Sequence, residues 1–352
     1  ASNGGKGSRL RECIRRDLLA GIRTLTEASG VDRDRITKIA IAGNTTMGHL
    51  FMGYSCERLG VYPYRAVNSG WIQLDFQEAF GADDLKASVV LLPGISAFVG
   101  GDIVAGLLAL GFDAADTTCM LIDLGTNGEM AIGSRQRILA SSAAVGPAFE
   151  GGNISCGMAG ISGAISHVTI RDGKAEFRTI GDKPPAGLCG TGVIEIVSEL
   201  FEKDMIDSTG LYRKEYFENG FEITRDHKGK PIVFTQKDIR EVQLAKAAVR
   251  AGIEILMRRF GTDYDGIDTV CLAGGFGYKT DLSKALRIGL LPEQFNGKIE
   301  AVGNSSLAGA LRYLKEPDAS DRLDRIISIS KEINLSEDRD FYELYVKHMD
   351  FV

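Results

Sequence analysis

The sequence predicts an α/β fold in two lobes, and three observations predict it. Short apolar strands alternate with helical patterns along most of the 352 residues. Two strands far apart in the chain run directly into glycine-rich turns, Thr118–Glu129 (TCMLIDLGTNGE) and Asp268–Gly277 (DTVCLAGGFG). Both turns fall at carboxyl ends of strands, where open α/β sheets bind ligands. The length suits two domains and a large core.

The elements follow in order. Apolar residues at Leu10, Ile14, Leu18, Ile22 and Leu25 predict an amphipathic helix over 9–29, stopped by Gly30. ITKIAIA (36–42) predicts a strand that ends at Gly43-Asn44-Thr45-Thr46, where a helix begins. A second strand is expected at 88–92. The stretch from Leu91 to Phe112 is apolar enough to suggest a membrane span. Pro93, the glycines at 94, 100, 101 and 106, and Asp102 argue instead for a strand end, a turn and a buried helix from Asp102.

A second lobe is expected from Thr118. Strands are expected at Arg137–Ala144 and His167–Ile180, the latter folded at Asp172-Gly173. The glycine-rich segment 145–158 between them reads as irregular. Gly190-Thr191-Gly192 precedes an expected helix over Val193–Leu200. Residues 204–234 are polar and turn-rich, a peripheral insertion. Thr235 and Asp238 form a capping box for a long helix closed by Gly261. A strand at 268–273, a helix from Leu282, a strand at 299–302 and a helix from Ser306 complete a βαβα end. The predicted boundaries are 1–116 for the first lobe, 117–317 for the second and 318–352 for a tail packed on them.

Composition excludes several classes. Apolar residues make up 44% and charged residues 25%, ordinary for a globular chain, and the formal net charge is -6. That balance argues against a nucleic-acid surface. The polar N-terminus shows no signal peptide. The cysteines at 13, 56, 119, 156, 189 and 271 form no CxxC pair. They read as free thiols of a reducing cytosol, with no iron–sulfur cluster and no structural zinc in this chain. His49, His167, His227 and His348 lack metal-ligand spacing.

Some residues suit phosphate chemistry. Asp123 on a strand end can hold the waters of a Mg²⁺ ion. Gly125 and Gly128 leave the backbone amides that follow them free to meet phosphate oxygens, and Thr126 adds a hydroxyl. A plain hairpin with Asp at its turn explains the same residues equally well, and Glu129 reads as a solvated strand residue. Gly274, Gly275 and Gly277 suit close approach to a nucleoside, or a tight strand–helix connection. Phe276 reads as core. Gly190, Thr191 and Gly192 precede a helix N-terminus, a natural anion site, and Asn304 stands in a second glycine turn, Gly303-Asn304-Ser305-Ser306, one βα unit after the Gly274 turn. Asp102 reads as a helix N-cap or as a carboxylate that orients an attacking water. Asn44, Thr45 and Thr46 read first as capping residues. The nucleotide reading requires Asp123 and the Gly274 turn to face one another across a crevice between lobes.

In order along the chain, GNTTMGHLF, PGISAFVGGDI, IDLGTNGEM, GPAFEGGNISCGM, GLCGTGVIE, QLAKAAVRAGI, LAGGFG and GNSSLAGA resemble the reductive activators of corrinoid proteins. These are ferredoxin-linked ATPases of the acetate and sugar kinase, heat-shock chaperone and actin superfamily. The resemblance implies two ribonuclease-H-like lobes, an actin-like ATPase fold. It implies ATP with Mg²⁺, and ATP-driven electron transfer from an iron–sulfur centre to a Co(II) corrinoid protein, restoring Co(I) for methyl transfer. It places Asp123, Gly125, Thr126 and Asn127 near phosphates and Mg²⁺, and Gly274, Gly275 and Gly277 near the nucleoside. It gives Asp102 the water-orienting role. The implied partners are the corrinoid protein of a methyltransferase system and a second copy in a homodimer, with no membrane and no nucleic acid. The family's four-cysteine ferredoxin-type domain and the superfamily's first Asp-x-Gly-Thr hairpin are not in these residues. The sequence therefore reads as a C-terminal part whose first lobe is truncated at its N-terminus, expected to bind ATP weakly and turn it over little. A small-molecule kinase of the same superfamily and a partner-docking module are the competing readings; in either case segment 146–158 suits contact with the corrinoid protein or a packed connection between strands.

Overall fold

A computed structural model describes residues 7–275 and 281–352. Contacts divide the chain into two units: Ala1–Asp116, Gly133–Ala140 and Asn304–Glu332 in one, Thr117–Ile132, Ser141–Gly303 and Ile333–Val352 in the other.

The first unit opens with α1 (Gly7–Ser29). Arg11 and Arg15 each donate to the Phe51 carbonyl at 3.3 Å. That rotates Ile14, Leu19 and Ile22 onto a core of Phe51, Phe76, Phe80, Val89 and Leu91. Leu18 and Leu25, expected on the buried face, are exposed. The arginine contacts, invisible to apolar periodicity, set the face.

Strand β1 (Lys38–Ile41) leads into α2 (Thr45–Met52), capped as expected by Asn44, whose side chain accepts from the Met47 amide at 2.8 Å. Thr45 donates its hydroxyl to the Ser96 carbonyl at 2.8 Å. His49 is buried, with Nδ1 donating to the Thr45 carbonyl and Nε2 accepting from the Val67 amide. Burial lowers its pKa, and this neutral tautomer leaves no nitrogen for chemistry. Strand β2 (Ile72–Asp75), α3 (Phe76–Phe80) and β3 (Ser88–Leu91) follow. The sheet order is β1-β3-β2, with β1 parallel and β2 antiparallel to β3.

The apolar stretch 91–112 resolves into β3, a turn and α4 (Gly101–Leu110), a helix of ten residues. Among the described residues no helix is long and apolar enough to cross a membrane. Gly100 and Gly101 let α4 start against backbone. A Cβ on Gly100 would lie 2.6 Å from the Asn44 Cα and 2.8 Å from the Gly43 oxygen, and one on Gly101 would meet the Leu92 carbonyl. Gly100, not Asp102, is the N-cap. Asp102 is the second helical residue. Its amide donates to the Gly43 carbonyl at 3.3 Å, and its carboxylate accepts from the Ile103 amide at 2.9 Å.

The second unit starts with β4 (Cys119–Leu124). The hairpin β5 (Gly128–Ser134) and β6 (Arg137–Ala143) comes next. Strands β7 (Ala164–Arg171) and β8 (Lys174–Thr179) form the expected hairpin. Asp172 and Gly173 at its turn both have positive φ (49° and 72°), as a two-residue turn between twisted strands requires. Strand β9 (Gly187–Leu188) completes the order β8-β7-β9. Helix α5 (Gly190–Glu202) begins three residues earlier than the sequence suggested, so Gly190, Thr191 and Gly192 form its first turn. The polar segment 204–234 holds α6 (Lys214–Phe217) and the antiparallel hairpin β10 (Phe221–Arg225) and β11 (Pro231–Phe234).

The Thr235/Asp238 capping box opens α7 (Gln236–Phe260), and Gly261 closes it in the left-handed region. Strand β12 (Thr269–Ala273), α8 (Leu282–Arg287) and β13 (Ile299–Gly303) follow. In this unit β12 lies between β13 and β4 and runs parallel to both.

The chain returns to the first unit as α9 (Ser305–Lys315), α10 (Ala319–Ile329) and β14 (Ser330–Glu332), which pairs in parallel with residues 138–140 of β6. Helix α9 lies on α4 so closely that a Cβ on Gly309 would run into the Ala105 carbonyl. The last helix, α11 (Phe341–Lys347), packs on α7 in the second unit.

Two consequences are measurable. Alanine favours helices by about 1 kcal/mol over glycine, yet Gly309→Ala is expected to lower stability by ~1–3 kcal/mol, because the obstacle is backbone. A thermal midpoint equal to or above wild type refutes that close approach. Burial pushes the Asp102 carboxyl above the ordinary carboxylate range, against the pull of the amides of Ile103 and of Asp102 itself. Folding therefore favours its protonated form, and the wild type loses stability as pH rises from the ordinary value through the raised one. Asp102→Asn stays neutral throughout. It is expected to melt above wild type near neutral pH, with the gap closing in acid. A variant that melts lower near neutrality contradicts this.

Candidate functional site

Strands β4 and β12 are buried, which suits central parallel strands. Their register pairs Ala273 with Asp123. The two glycine-rich turns therefore leave the same edge of one sheet, side by side. They do not confront one another from separate lobes as the sequence reading required, because parallel neighbours bring both carboxyl ends to one edge. Gly274 has φ 83°, and a Cβ there would lie 2.8 Å from Asp123 Oδ1 and 3.2 Å from the Leu124 carbonyl oxygen. Conformation and space thus both demand glycine at 274. Gly275 has open space where a Cβ would stand. Gly277, and Phe276 with it, lie outside the described residues.

Asp123 is half-buried at the end of β4. The following turn closes on itself, with the Gly125 amide donating to the Asn127 carbonyl at 2.9 Å. The Gly125 amide is thus spent inside the turn. Thr126 and Asn127 are exposed at its tip. Gly128 is buried, and a Cβ there would meet Val145 Cγ2 at 2.8 Å. Glu129, read as solvated, is half-buried.

One residue of this site escaped the sequence reading. Thr126 donates its hydroxyl to Glu150 Oε2 at 2.7 Å, and Glu150 Oε1 lies 3.6 Å from the position of a Cβ on Gly125. Glu150 ends a 3-10 turn, Pro147–Glu150, inside the segment expected to be irregular. Ala148, Phe149 and Ile154 are buried there, and the turn packs on α5 and α7. The buried Asp238 accepts the Ser155 amide at 2.6 Å, tying the segment to the start of α7. Segment 146–158 is a packed connection, with Glu150, Asn153 and Ser155 as its exposed residues. The glutamate in GPAFEGG was the available signal.

The remaining candidates are placed as follows. Gly190, Thr191 and Gly192 are buried in the first turn of α5, where a Cβ on Gly192 would run into the Ile165 carbonyl. Close packing on β7 thus accounts for Gly192. Asn304 caps α9, accepting from the Leu307 amide at 2.8 Å. It belongs to the first unit, as does Asp102.

The residues present suit a magnesium nucleotide. A strand-end carboxylate, a hydroxyl and a second carboxylate are hard oxygen donors. Among the described residues no group of three or more His, Cys, Asp or Glu could hold a metal. A cation here would keep most of its water and take phosphate oxygens, as Mg²⁺ does. Gly274 leaves the space beside Asp123 clear. The cysteines are free, and burial pushes Cys156 and Cys271 up to about 12, which keeps them as thiols.

Comparison with known proteins gives the same reading of the fold. The description "C-terminal domain of RACo the ASKHA domain" matches residues 117–352, and "RACo middle region" matches residues 1–115. The corrinoid activation enzyme RamQ of Eubacterium limosum is 32% identical over 362 residues, covering 97% of this chain and 61% of its own length. The [Co(II) methylated amine-specific corrinoid protein] reductase of Methanosarcina barkeri is 29% identical over 350 residues, covering 90% and 62%. A solved reductive activator for corrinoid,iron-sulfur protein superposes with a TM-score of 0.88 at 32% identity, over 98% of this chain and 57% of its own. The chain thus spans about three fifths of the length of the curated relatives it matches. Matches that run from residue 1 to residue 352 make this chain a member of the RACo family, built from its middle region and its C-terminal ASKHA domain, the actin-like ATPase fold.

Proposed function

We propose that this chain is the ATPase part of a reductive activator of corrinoid proteins. It would use ATP to drive an electron from an iron–sulfur centre, supplied from outside these residues, to a Co(II) corrinoid protein, regenerating Co(I) for methyl transfer. The relatives are named for corrinoid activation and reduction, which supports the reaction class. The observation that carries the ATPase part is the junction of Asp123 and Gly274, a strand-end carboxylate beside a cleared backbone. The homodimer and a cytoplasmic setting belong to the same proposal.

Bound MgATP supplies the free energy of phosphoanhydride cleavage. The chain's own residues bind and orient. Asp123 holds cation-bound water at the strand end. The exposed tip of the turn, Thr126 and Asn127, meets phosphate oxygens or their cation. Gly274 and Gly275, with Gly277, take the nucleoside side by letting backbone come close. The first turn of α5 (Gly190, Thr191, Gly192) and Asn304 at α9 complete the proposed contacts. Asp102 takes the water-orienting role from the first turn of α4, where burial raises its affinity for a proton.

Three measurements test this reading. Full-length protein, ATP, a low-potential reductant and Co(II) corrinoid protein are expected to yield the Co(I) spectrum only when ATP is present. A spectrum indifferent to ATP removes the proposal. In the same mixture, assayed for phosphate release, Asp102→Asn is expected to lower ATP turnover by roughly a hundredfold or more with nucleotide affinity kept. Gly274→Val is expected to abolish nucleotide binding, since it adds strain and volume beside Asp123. Wild-type turnover in Asp102→Asn withdraws its assigned role.

A further inference from the structure

We infer that Glu150 makes nucleotide binding at the Asp123 turn conditional on a divalent cation, by holding the Thr126 hydroxyl as an acceptor and by standing as a negative charge beside the turn. This deepens the nucleotide reading and rests on it.

A threonine hydroxyl has one proton and two lone pairs. The proton is donated to Glu150 Oε2 at 2.7 Å. While that bond holds, Thr126 has no proton for a phosphate oxygen. Its lone pairs suit a cation, or a water on a cation. The second carboxylate oxygen, Oε1, faces Gly125, 3.6 Å from the place of a Cβ. A bare triphosphate approaching the turn would meet this negative charge. A divalent cation reverses the sign of the interaction and gives both the carboxylate and the threonine oxygen something to bind.

The position of Glu150 is fixed by packing. Its 3-10 turn lies between Gly146 and Gly151, with φ of 76° and 81°. A Cβ on Gly151 would lie 2.5 Å from the Met158 oxygen, and one on Gly152 would lie 2.5 Å from the Pro147 Cβ. Phe149, the residue before Glu150, is 1% exposed. The carboxylate is thus held at the turn by a scaffold with little freedom, while remaining exposed itself. Glu150 is a positioning residue for Thr126 and a gate on the charge of what binds.

The test uses a fluorescent ATP analogue and the full chain, titrated in excess Mg²⁺ and again in EDTA. The quantity read is the ratio of the two affinities, which a purely structural role leaves unchanged. In Glu150→Gln that ratio is expected to fall by about tenfold, because metal-free nucleotide binds more tightly and the magnesium complex no better. Thr126→Ser keeps the hydroxyl and is expected to keep the wild-type ratio. Thr126→Val is expected to weaken only the magnesium complex. A folded Glu150→Gln with the wild-type ratio overturns the inference and leaves the nucleotide reading standing. A wild-type chain that binds no nucleotide in either condition overturns both.

Discussion

The parallel pairing of β4 with β12 is the constraint on which the candidate site depends. Ala273 opposite Asp123 brings a carboxylate and a glycine turn to one sheet edge. A one-residue slip would turn every side chain of β12 to the other face. Both faces of β12 are buried, with Val270, Cys271, Leu272 and Ala273 packed in turn on either side. Gly274 then inherits a backbone conformation at φ 83° and a neighbour 2.8 Å from any Cβ, so the register and the glycine specify each other. The Thr126–Glu150 bond is built on that edge, because the turn carrying Thr126 is the continuation of β4.

In the first unit, backbone contact plays the comparable part. Gly100 and Gly101 seat α4 on the Gly43–Thr45 turn and on the Leu92 carbonyl, and Gly309 seats α9 on α4. The start of α4 is therefore buried from both directions, and Asp102 is carried into it. Its raised pKa follows from that placement. A carboxylate on a helix that started in solvent would have no such shift. The closeness of three backbones and the proton affinity of one side chain are one fact.

Most of the framework was legible in the sequence, and the exceptions share a cause. The 3.6-residue period of α7, its Thr235/Asp238 box and Gly261 are local signals, and each stands where expected. The strand-to-turn junctions at Asp123 and Gly274 were legible for the same reason. The buried face of α1 was not, because Arg11 and Arg15 fix it through Phe51, far along the chain. Asp102 was misread as a cap because Gly100 can serve as one only where Asn44 and Thr45 lie against it. The start of α5 was misplaced because glycine argues against helix until Gly192 is seen packed on the Ile165 carbonyl. Glu150 was missed because its partner, Thr126, is twenty-four residues away.

Buried charge in the second unit extends the same lesson to energetics. Lys246 is almost fully buried and donates to the carbonyls of His348 and Asp350 at 2.7 and 2.6 Å, with its ammonium over the Phe351 ring. Desolvation, reinforced by Arg250, pulls it down to about 7. Glu254, one helical face along, accepts from His348 at 2.7 Å, and that bond holds its carboxyl down at about 2. On the sequence these residues are charges inside an apolar helical pattern and look like errors in it. In the fold Lys246 satisfies the backbone carbonyls of His348 and Asp350 and Glu254 accepts from the His348 ring, at a cost in desolvation. The sign follows: folding disfavours the protonated form of Lys246, so its burden lightens as pH rises from about 7 toward the ordinary lysine value. The Glu254 contribution is present above the ordinary glutamate value and is lost only as pH falls toward about 2. Attachment of residues 348–351 to α7 is therefore strongest on the alkaline side of neutrality.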